Sequence, residues 1–250
     1  MKDTFAWRLA ASAVIFSILA CSAVTGGDWG GGSTIYGSGK LVSEARNVSG
    51  ISGVELTMAG TLHVTMGNSD SLRVEAEDNL QPYIHTDVVA GTLVIETRPG
   101  FQLENTRPID YFLTVKQLSA IALSSSGDAQ AEELQAGPFS VAISSSGNVT
   151  IGRLEADSIR VKISSSGALL IHSGRLQTQT ISLSSSGEYS ARDLQSANAD
   201  VSLSSSGSAT IRVSDHLTGR LSSSGNVYYI GDPDVRVTKS SSGTAVRLDE

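Results

Sequence analysis

Cysteine, proline and aromatic residues are scarce in this 250-residue chain. It has one cysteine, which excludes a disulfide framework and a cysteine-based zinc site. Aromatic residues make up 5% and charged residues 17%, both low for a globular domain, whereas 40% of the residues are hydrophobic. That apolar content is enough to bury a sizeable core, so intrinsic disorder is not expected. The formal charge of −7 argues against a nucleic-acid partner, which would favour a basic face.

The first twenty residues have the plan of a secretory signal peptide. Lys2 and Arg8 flank the start of an apolar run over 9–20, which is too short for a comfortable transmembrane helix. The run ends in Ile18-Leu19-Ala20-Cys21. This ending resembles the bacterial lipobox, where signal peptidase II cuts before a cysteine that carries a diacylglycerol. Because Cys21 is the only cysteine and lies at the cleavage point, we expect it to be lipidated.

A glycine-rich segment follows the predicted anchor. Residues 26–39 contain seven glycines in fourteen positions, a composition typical of a flexible coil. We therefore expect residues 21–44 to form a lipid-anchored tether, holding the domain on the order of 20–25 Å from the bilayer. In enterobacterial lipoproteins, which this segment resembles, a residue other than aspartate after the cysteine directs the protein to the outer membrane. Ser22 occupies that place.

The tetrapeptide SSSG occurs seven times in the second half of the chain. Successive copies are 20, 20, 20, 20, 18 and 18 residues apart. Apolar residues alternate with other residues around the copies, as in Val161 and Ile163 before the third copy and Leu169 and Ile171 after it. This period-2 alternation, punctuated by serine and glycine, predicts short strands and turns rather than helices. The copies lie at 124–127, 144–147, 164–167, 184–187, 204–207, 222–225 and 240–243.

A strand-only repeat with a period of about 20 residues predicts a β-solenoid. One coil cannot bury its inward residues alone, whereas parallel coils stacked about 4.8 Å apart bury a continuous core. Leucine-rich repeats need an asparagine-containing leucine pattern, and calcium-binding solenoids need GGxGxD motifs; the chain has neither. A β-sandwich has strands at similar spacing but does not need the same four residues seven times. Residues 45–120 alternate less regularly, and we expect them to form early coils of the same column. The predicted solenoid domain is thus 45–250, with SSSG repeats from 121.

The serines and glycine of each copy have both a structural and a functional interpretation. Alternation from an inward Leu123 places Ser124 outward and Ser125 inward, and in the third copy Ser164 outward and Ser165 inward. Inward serines of neighbouring coils would then form a hydroxyl ladder, and each glycine would supply a corner with positive φ. Alternatively, the stacked hydroxyls bind ice or glycans, although the regular T-x-T row of ice-binding solenoids is missing. Turn chemistry explains both residue types, so we favour the structural interpretation.

Few residues suggest catalysis or metal binding. The four histidines are not spaced as metal ligands, and no G-x-S-x-G motif occurs. Asp128 with Asn148 is the best candidate for a calcium or carboxylate site, but the row after the glycines supplies too few hard oxygen ligands. We therefore predict no catalytic residue, no metal and no cofactor, with Cys21 as the one modified residue. The histidines are His63, His85, His172 and His216.

Four segments ahead of the SSSG coils share a pattern with a known family. They are Val48-Ser-Gly-Ile51-Ser-Gly-Val54-Glu-Leu56, Gly60-Thr-Leu62-His-Val64, Leu72-Arg-Val74-Glu-Ala76-Glu-Asp-Asn-Leu80 and Gly91-Thr-Leu93-Val-Ile95. Together with the coils, they resemble the DUF2807 family, also called the putative auto-transporter adhesin head GIN domain. The resemblance covers roughly residues 45–248. It implies a right-handed single-stranded parallel β-helix that is commonly exported, is often a lipoprotein and has no established activity.

These observations combine into one hypothesis with two alternatives. The chain is expected to be an all-β, right-handed parallel β-helix (β-solenoid) with coils of about 18–20 residues. Its expected role is that of a non-catalytic structural or adhesin-like binding module, lipid-anchored in the cell envelope, with a glycan or an envelope protein as ligand. A glycan-active β-helix enzyme would instead show a cleft with three or more convergent carboxylates. An accessory protein for an envelope membrane protein would show a contiguous apolar patch on one face.

Overall fold

The described part of the chain is nearly all-β, and most of its strands stack in parallel. The computed structural model describes residues 32–240 and 242–249, so the predicted signal peptide and Cys21 lie outside the described residues. The described part contains one short 3-10 turn, Gln81–Tyr83, and no α-helix. None of its helices is long and apolar enough to cross a bilayer. The strands before the first SSSG copy are β1 Ser33–Tyr36, β2 Leu41–Arg46, β3 Gly53–Leu56, β4 Thr61–Met66, β5 Ser71–Glu77, β6 Ile84–Val89, β7 Thr92–Thr97, β8 Phe101–Glu104, β9 Asp110–Val115 and β10 Ala120–Leu123.

Each SSSG copy joins two parallel ladders of strands. The first ladder contains the strand segments just before the SSSG copies, together with β3 and β7, and the second ladder contains the segments just after the copies, together with β4 and β9. The long strands β15, β16 and β17 contribute their first halves to the second ladder and their second halves to the first. The constant period of the central coils keeps equivalent residues opposite each other, so that Ile143 pairs with Ile163 and Ile163 with Leu183. The predicted β-solenoid is therefore confirmed. The remaining strands are β11 Asp128–Gln135, β12 Pro138–Ile143, β13 Asn148–Glu155, β14 Ser158–Ile163, β15 Ala168–Leu183, β16 Glu188–Leu203, β17 Ser208–Leu221, β18 Asn226–Ile230, β19 Asp234–Lys239 and β20 Thr244–Arg247.

The core runs up the centre of the column between the ladders. Alternate residues of each strand face it, because successive side chains of a strand point to opposite sides. In the third coil Val161, Ile163, Leu169 and Ile171 are all at most 1% exposed. Between them the strand residues are half-buried or exposed. The alternation that predicted strands from the sequence is therefore also the alternation of burial.

The early coils do not follow the order of the chain. Strand β3 pairs with β10 on one side and with β7 on the other. Strand β4 lies in the same way between β11 and β9. The outermost coil of the column is therefore formed by β7 and β9, and the coil next to it by β3 and β4. Along the chain the inner of these two coils comes first, the outermost coil follows, and the chain then returns to β10 on the other side of β3. Residues 45–120 and the SSSG coils share the same two ladders.

The two ends of the column are built differently. At the first end, β6 adds antiparallel to β7, and β5 and β2 add antiparallel beyond β9. At the last end, β19 pairs only with β17, and β20 only with β18, among the described residues. The first ladder thus ends in β19 and the second ladder in β20, both as single-sided parallel strands.

The predicted tether over 21–44 is wrong for residues 32–44, which belong to the folded unit Gly32–Glu250. Strand β1 pairs in parallel with β8, and β2 pairs antiparallel with β5. Two of the glycines there have structural roles: Gly39 has a φ of +81°, and Gly37 lies where a Cβ would collide with the Glu77 carboxylate. Glycine content in this stretch therefore reflects tight turns and close packing rather than a flexible coil.

Candidate functional site

The SSSG tetrapeptides form a column of corners, here called the serine corner. In each of the six copies whose four residues are all described, the first and third serines are exposed, the second is half-buried and the glycine is buried. The prediction that Ser164 faces outward is confirmed. Ser165 lies deeper than Ser164, in the predicted order, but it is half-buried and does not reach the core.

The glycines of the serine corner are required by the neighbouring coil. The predicted positive φ is wrong, because none of these seven described glycines has one. Instead, a Cβ on Gly207 would lie 2.6 Å from the carbonyl oxygen of Gly187, and a Cβ on Gly243 would lie 2.5 Å from that of Gly225. Real Cβ atoms do not approach an oxygen so closely. Glycine therefore recurs because adjacent coils bring their backbones together at this corner.

The serine hydroxyls bond to the backbone of the preceding coil. The Ser145 hydroxyl donates to the carbonyl of Ser125, and the Ser222 hydroxyl donates to the carbonyl of Leu203 at 3.4 Å. The predicted ladder of serine hydroxyls bonded to one another is therefore wrong in its partners. These bonds support the structural interpretation of the first two serines, whereas the third serine, such as Ser146, is exposed on the surface.

The outer side of the first ladder from β12 to β19 is a mostly polar surface rich in hydroxyl and cationic side chains, here called the hydroxyl-cation face; Ala142, Asn198 and His216 also lie on it. Its outward positions repeat every two residues along β12, β14, the second halves of β15, β16 and β17, and β19. A shallow groove runs across its last coils. The cations are Arg160, Lys162, Arg220 and Arg236, the carboxylates Asp200 and Asp234, and the hydroxyls Ser140, Ser158, Thr178, Thr180, Ser182, Ser202, Thr218 and Thr238.

Two cations of this face have no ion pair among the described residues, namely Arg160 and Arg220. Arg236 pairs with Asp234 on the same strand at 2.7 Å. The hydroxyls of Thr218 and Thr238 donate to carbonyls of the preceding coil at 3.4 and 3.2 Å, so each keeps its oxygen lone pairs as acceptors. The face therefore offers cations and hydrogen-bond acceptors on several coils between β14 and β19.

The candidate pair Asp128 and Asn148 is brought together, but as a link between coils. The Asp128 carboxylate accepts the backbone N–H of Asn148 at 2.8 Å and its side-chain amide at 3.1 Å. Asn226 accepts the backbone N–H of Thr244 in the same way at 3.1 Å. The residues after the glycines thus tie successive coils, and the described residues contain no group of three or more histidine, cysteine or acidic side chains placed to hold a metal ion.

The four histidines lie apart on the surface or partly buried in it. His85 lies near Glu96, with 3.3 Å between Nδ1 and Oε1, and His172 and His216 are exposed. His63 is part of a side-chain stack that the sequence did not indicate. Its ring lies 4.8 Å from the ring of Phe112 and its Nε2 lies 2.8 Å from Asp110.

Phe112 is enclosed in this stack from both sides. The guanidinium of Arg73 lies 3.8 Å from the centre of the Phe112 ring. Strand β9, which carries Phe112, lies between its parallel neighbour β4 and strand β5, and β5 reaches it because the chain folds back antiparallel there. No spacing in the sequence could indicate that return. The stack covers a surface aromatic ring at the first end of the column.

A buried carboxylate fastens the N-terminal segment to the column. Glu77 is fully buried and accepts the N–H of Gly39 at 2.6 Å, the N–H of Thr106 at 2.8 Å and the hydroxyl of Thr106 at 2.7 Å. Burial by itself raises the pKa of Glu77, but these bonds to its charged form outweigh that effect, and the pKa is lowered. The sequence contains no sign of this role, because the donors are mostly backbone groups of two distant loops.

A polar network lies inside the column where the spacing of the SSSG copies shortens. Gln179 is fully buried; it accepts from the Tyr189 hydroxyl at 2.7 Å and donates to the Ser196 hydroxyl at 2.9 Å. The Ser196 hydroxyl donates in turn to the carbonyl of Arg212 at 2.8 Å. Strands β16 and β17 shift register at this place. The network therefore satisfies backbone groups that the change of coil size takes out of the ladder.

The fold is shared with solved bacterial proteins. A putative adhesin from Bacteroides fragilis superimposes with a TM-score of 0.81 at 20% identity, over 86% of this chain and 100% of that chain. A putative adhesin from Parabacteroides distasonis gives 0.72 at 21% identity, over 86% and 100%. A putative lipid binding protein from the same species gives 0.71 at 21% identity, over 87% and 100%. No curated protein is significantly similar in sequence.

The sequence itself matches a family profile over most of the folded unit. The match covers residues 51–233 and bears the description "putative auto-transporter adhesin, head GIN domain". It includes the early coils, the Glu77 carboxylate and the first six SSSG copies. This chain belongs to the DUF2807 family of adhesin-like β-solenoid proteins.

Proposed function

We propose that this protein is a lipid-anchored, non-catalytic binding module of the bacterial cell envelope, which holds an anionic glycan along its hydroxyl-cation face. The observation that carries the proposal is the run of cations and hydroxyls over the outer side of the first ladder. Family membership supports an adhesin-like, exported envelope protein. The outer membrane is the location that the residue after Cys21 favours.

The anchor rests on the sequence before residue 32. An apolar signal-like run ends at the only cysteine, and acyl chains on that residue would hold the protein stably at a membrane. Metabolic labelling with palmitate tests this step. Wild-type protein should carry the label and the Cys21→Ala variant should not. Label that persists in the variant would contradict the proposed anchor.

The shape of the hydroxyl-cation face favours an extended polymer over a small molecule. Equivalent positions recur at the strand spacing of about 4.8 Å, so contacts made on one coil are available again on the next. Arg160 and Arg220 stand on different coils of the same face. Thr180 lies on one of the two coils between them, and Ser202 lies on the other beside the carboxylate Asp200. An acidic polysaccharide could therefore meet cations at two places and hydroxyls between them. Each exposed contact is weak, and affinity would come from their number.

Glycan-array binding with charge-reversal variants tests the ligand. The double variant Arg160→Glu/Arg220→Glu should lose at least about tenfold in affinity for acidic glycans, because cations become like charges toward the ligand. Arg175→Glu is the matched control, since Arg175 is an exposed cation away from this face, bonded to Gln195 at 3.1 Å. The control variant should bind as wild type does.

Two outcomes of that experiment, and one outcome of a parallel assay with phospholipid vesicles, would overturn the ligand assignment. Equal loss in the double variant and the control would mean that overall charge, not this face, governs binding. Binding only to neutral glycans would remove the role of the cations. Binding to phospholipid vesicles with no glycan binding would favour the lipid-binding function in the name of one similar structure.

A further inference from the structure

The last coil of the column presents core-facing side chains to the outside. Val235 lies in register with Leu217, which is fully buried, yet Val235 itself is 38% exposed. Val237 and Ala245 also face the core and are only half-buried. The described residues beyond them, up to Asp249, add no strand over β19 or β20. Solenoids ordinarily cover such an end with a capping element, as β2, β5 and β6 do at the first end.

Within the described ranges, no strand pairs with the edge of β19 that faces away from β17. Ser240 donates its N–H to the carbonyl of Leu221 below it, so even-numbered residues of this strand point their backbone groups toward β17. Odd-numbered residues alternate with them. The N–H and C=O groups of Val235 and Val237 are therefore directed away from the column. A free strand edge of this kind is a template for pairing with another strand.

The charges on β19 identify which strand fits this edge. Asp234 and Arg236 flank Val235, and both point to the outer side. In an antiparallel pair of two β19 strands centred on Val235, Asp234 of one copy lies opposite Arg236 of the other, and the reverse pair forms by symmetry. In the same register Thr238 lies opposite Asp232. The strand is thus complementary to itself in charge and in hydrogen-bond direction.

We propose that two copies of this chain pair end to end through their last coils, with β19 antiparallel to β19 of the second copy about a twofold axis at Val235. The two valines exchange both backbone hydrogen bonds and cover each other's core-facing side chains. Lys239 stands in register with the core residue Leu221, and a charge at that place discourages registers shifted toward the end of the strand. Pairing about Val235 leaves Lys239 at the end of the paired segment, away from its centre.

Such a pair would hold its two copies of β1, the first described strand after the proposed anchor, at opposite ends. Strand β1 joins the column beside β8, in the outermost coil of the first end, whereas β19 lies at the other end. We infer that anchors attached ahead of the two β1 strands could then reach two different membranes. The inference extends the proposed function and rests on its lipid anchor: two membranes, each carrying one copy of the protein, would be bridged by pairing of the two identical chains.

Oligomeric state tests the pairing directly. A chain that starts at Cys21, with Cys21→Ala, retains the whole unit Gly32–Glu250 and should sediment as a monomer–dimer equilibrium at concentrations up to about 1 mM. Asp234→Arg and Arg236→Asp each place like charges opposite one another and should weaken dimerisation at least about tenfold. The double reversal Asp234→Arg/Arg236→Asp restores the complementary pairs and should restore the dimer. An equimolar mixture of the two single variants should form a heterodimer.

The control variant reverses a charge on the same face but within the column. Asp200→Arg should dimerise as wild type does, and melting curves should show that every variant is folded. A wild-type chain that stays monomeric would overturn the proposal, as would a dimer that both single reversals leave intact. Open fibres in place of a closed dimer would show head-to-tail stacking and would also overturn it.

Vesicle bridging tests the consequence without the natural lipid. Because Cys21 is the only cysteine, the chain that starts there can be coupled through its thiol to vesicles that contain a maleimide lipid. Coated vesicles should cluster, and those coated with the Asp234→Arg variant should not. Dimers in solution with no vesicle clustering would overturn the opposed orientation of the anchors. Failure of palmitate labelling in cells would leave this result unchanged and would remove only the anchor.

Discussion

The repeat region, residues 119–243, and the N-terminal region, residues 32–118, belong to one column but are held together by different means. In the repeat region the same contacts recur coil after coil: a buried glycine under a carbonyl, and backbone bonds such as Ser164 N–H to the Ile143 carbonyl at 2.9 Å. In the N-terminal region the main links occur once, as with Glu77 and the Arg73–Phe112–His63 stack. The repeat is stabilised by repetition of weak constraints, and the first end by a few specific polar groups.

The largest expected effect comes from breaking the repeat at its glycine. Gly167→Val should lower the free energy of unfolding by about 3 kcal/mol, because the new Cβ would meet the Ser145 carbonyl oxygen and the Ile143 side chain at 2.8 and 2.6 Å. Gly137→Val is the control, since a Cβ there meets only a carboxylate oxygen of Asp157, at 3.4 Å. Denaturant melts compare them. Equal losses would mean that glycine acts through chain flexibility.

The corresponding change at the first end removes the buried charge. Glu77→Gln should lower the free energy of unfolding by about 2 kcal/mol, because an amide accepts at one atom only and turns donors toward the N–H groups of Thr106 and Arg107. Glu75→Gln changes a half-exposed carboxylate paired with Arg73 and should cost less than about 0.5 kcal/mol. Protease cleavage within residues 32–46 should speed up only in the Glu77 variant. Unchanged cleavage would contradict the role of Glu77 in holding that segment.

Acid should separate the two regions, because carboxylates with lowered pKa values occur in the N-terminal one. Glu77 contributes its full stability above its ordinary pKa of 4.5 and loses it as the pH falls through its lowered folded value. At Asp70, burial raises the pKa, but bonds from the N–H groups of Ile51 and Lys116 lower it overall, which gives the same sign. Melting curves between pH 7 and about pH 2 should show wild type and Glu77→Gln converging in acid. A gap that widens in acid would contradict the assigned sign.

The smallest expected effect distinguishes serines within one corner. Ser145→Ala should cost about 1 kcal/mol, because it removes the hydroxyl bond to the Ser125 carbonyl. Ser146→Ala should cost less than about 0.5 kcal/mol, because that side chain is exposed. Denaturant melts of both variants measure the difference. The reverse order would show that the burial register of the corner is shifted by one residue.

The sequence predicted the fold well where local and tertiary patterns coincide. Val161 and Ile163 alternate with polar residues, have counterparts at the same place in the next coil and lie in the core, so one pattern reports strand, period and burial together. The order of the early coils could not be predicted. Strand β3 pairs with β7 on one side and β10 on the other, both carry similar apolar residues, and no feature of the local sequence indicates which strand lies on which side. The tether was misjudged over 32–44, because glycine content does not distinguish a flexible segment from a tightly packed one such as Gly37 beside Glu77.

The candidate site was predictable only in part. The serines could be identified from the sequence because they repeat. The adjoining glycine is required by the close approach of the preceding coil's backbone, which becomes apparent only in the stacked structure. Gln179 occupies an inward-facing position of β15, where the alternating pattern predicts an apolar residue, so the sequence gives no reason for a glutamine there. Its partners, Tyr189 and Ser196, come from the next coil, and their distance in space follows from the register shift between β16 and β17. Cys21, outside the described residues, remains a prediction.

The in-register stacking of equal coils has a consequence for how such a protein can vary. Removing or duplicating one whole period, for example the segment from one SSSG copy up to the next, leaves each remaining strand facing an equivalent neighbour, so the cut faces match. Unequal recombination between repeats would therefore yield shorter or longer columns that still fold, in steps of about 4.8 Å per coil. Selection can then change the length of the column by whole coils, while the two differently built ends stay the same.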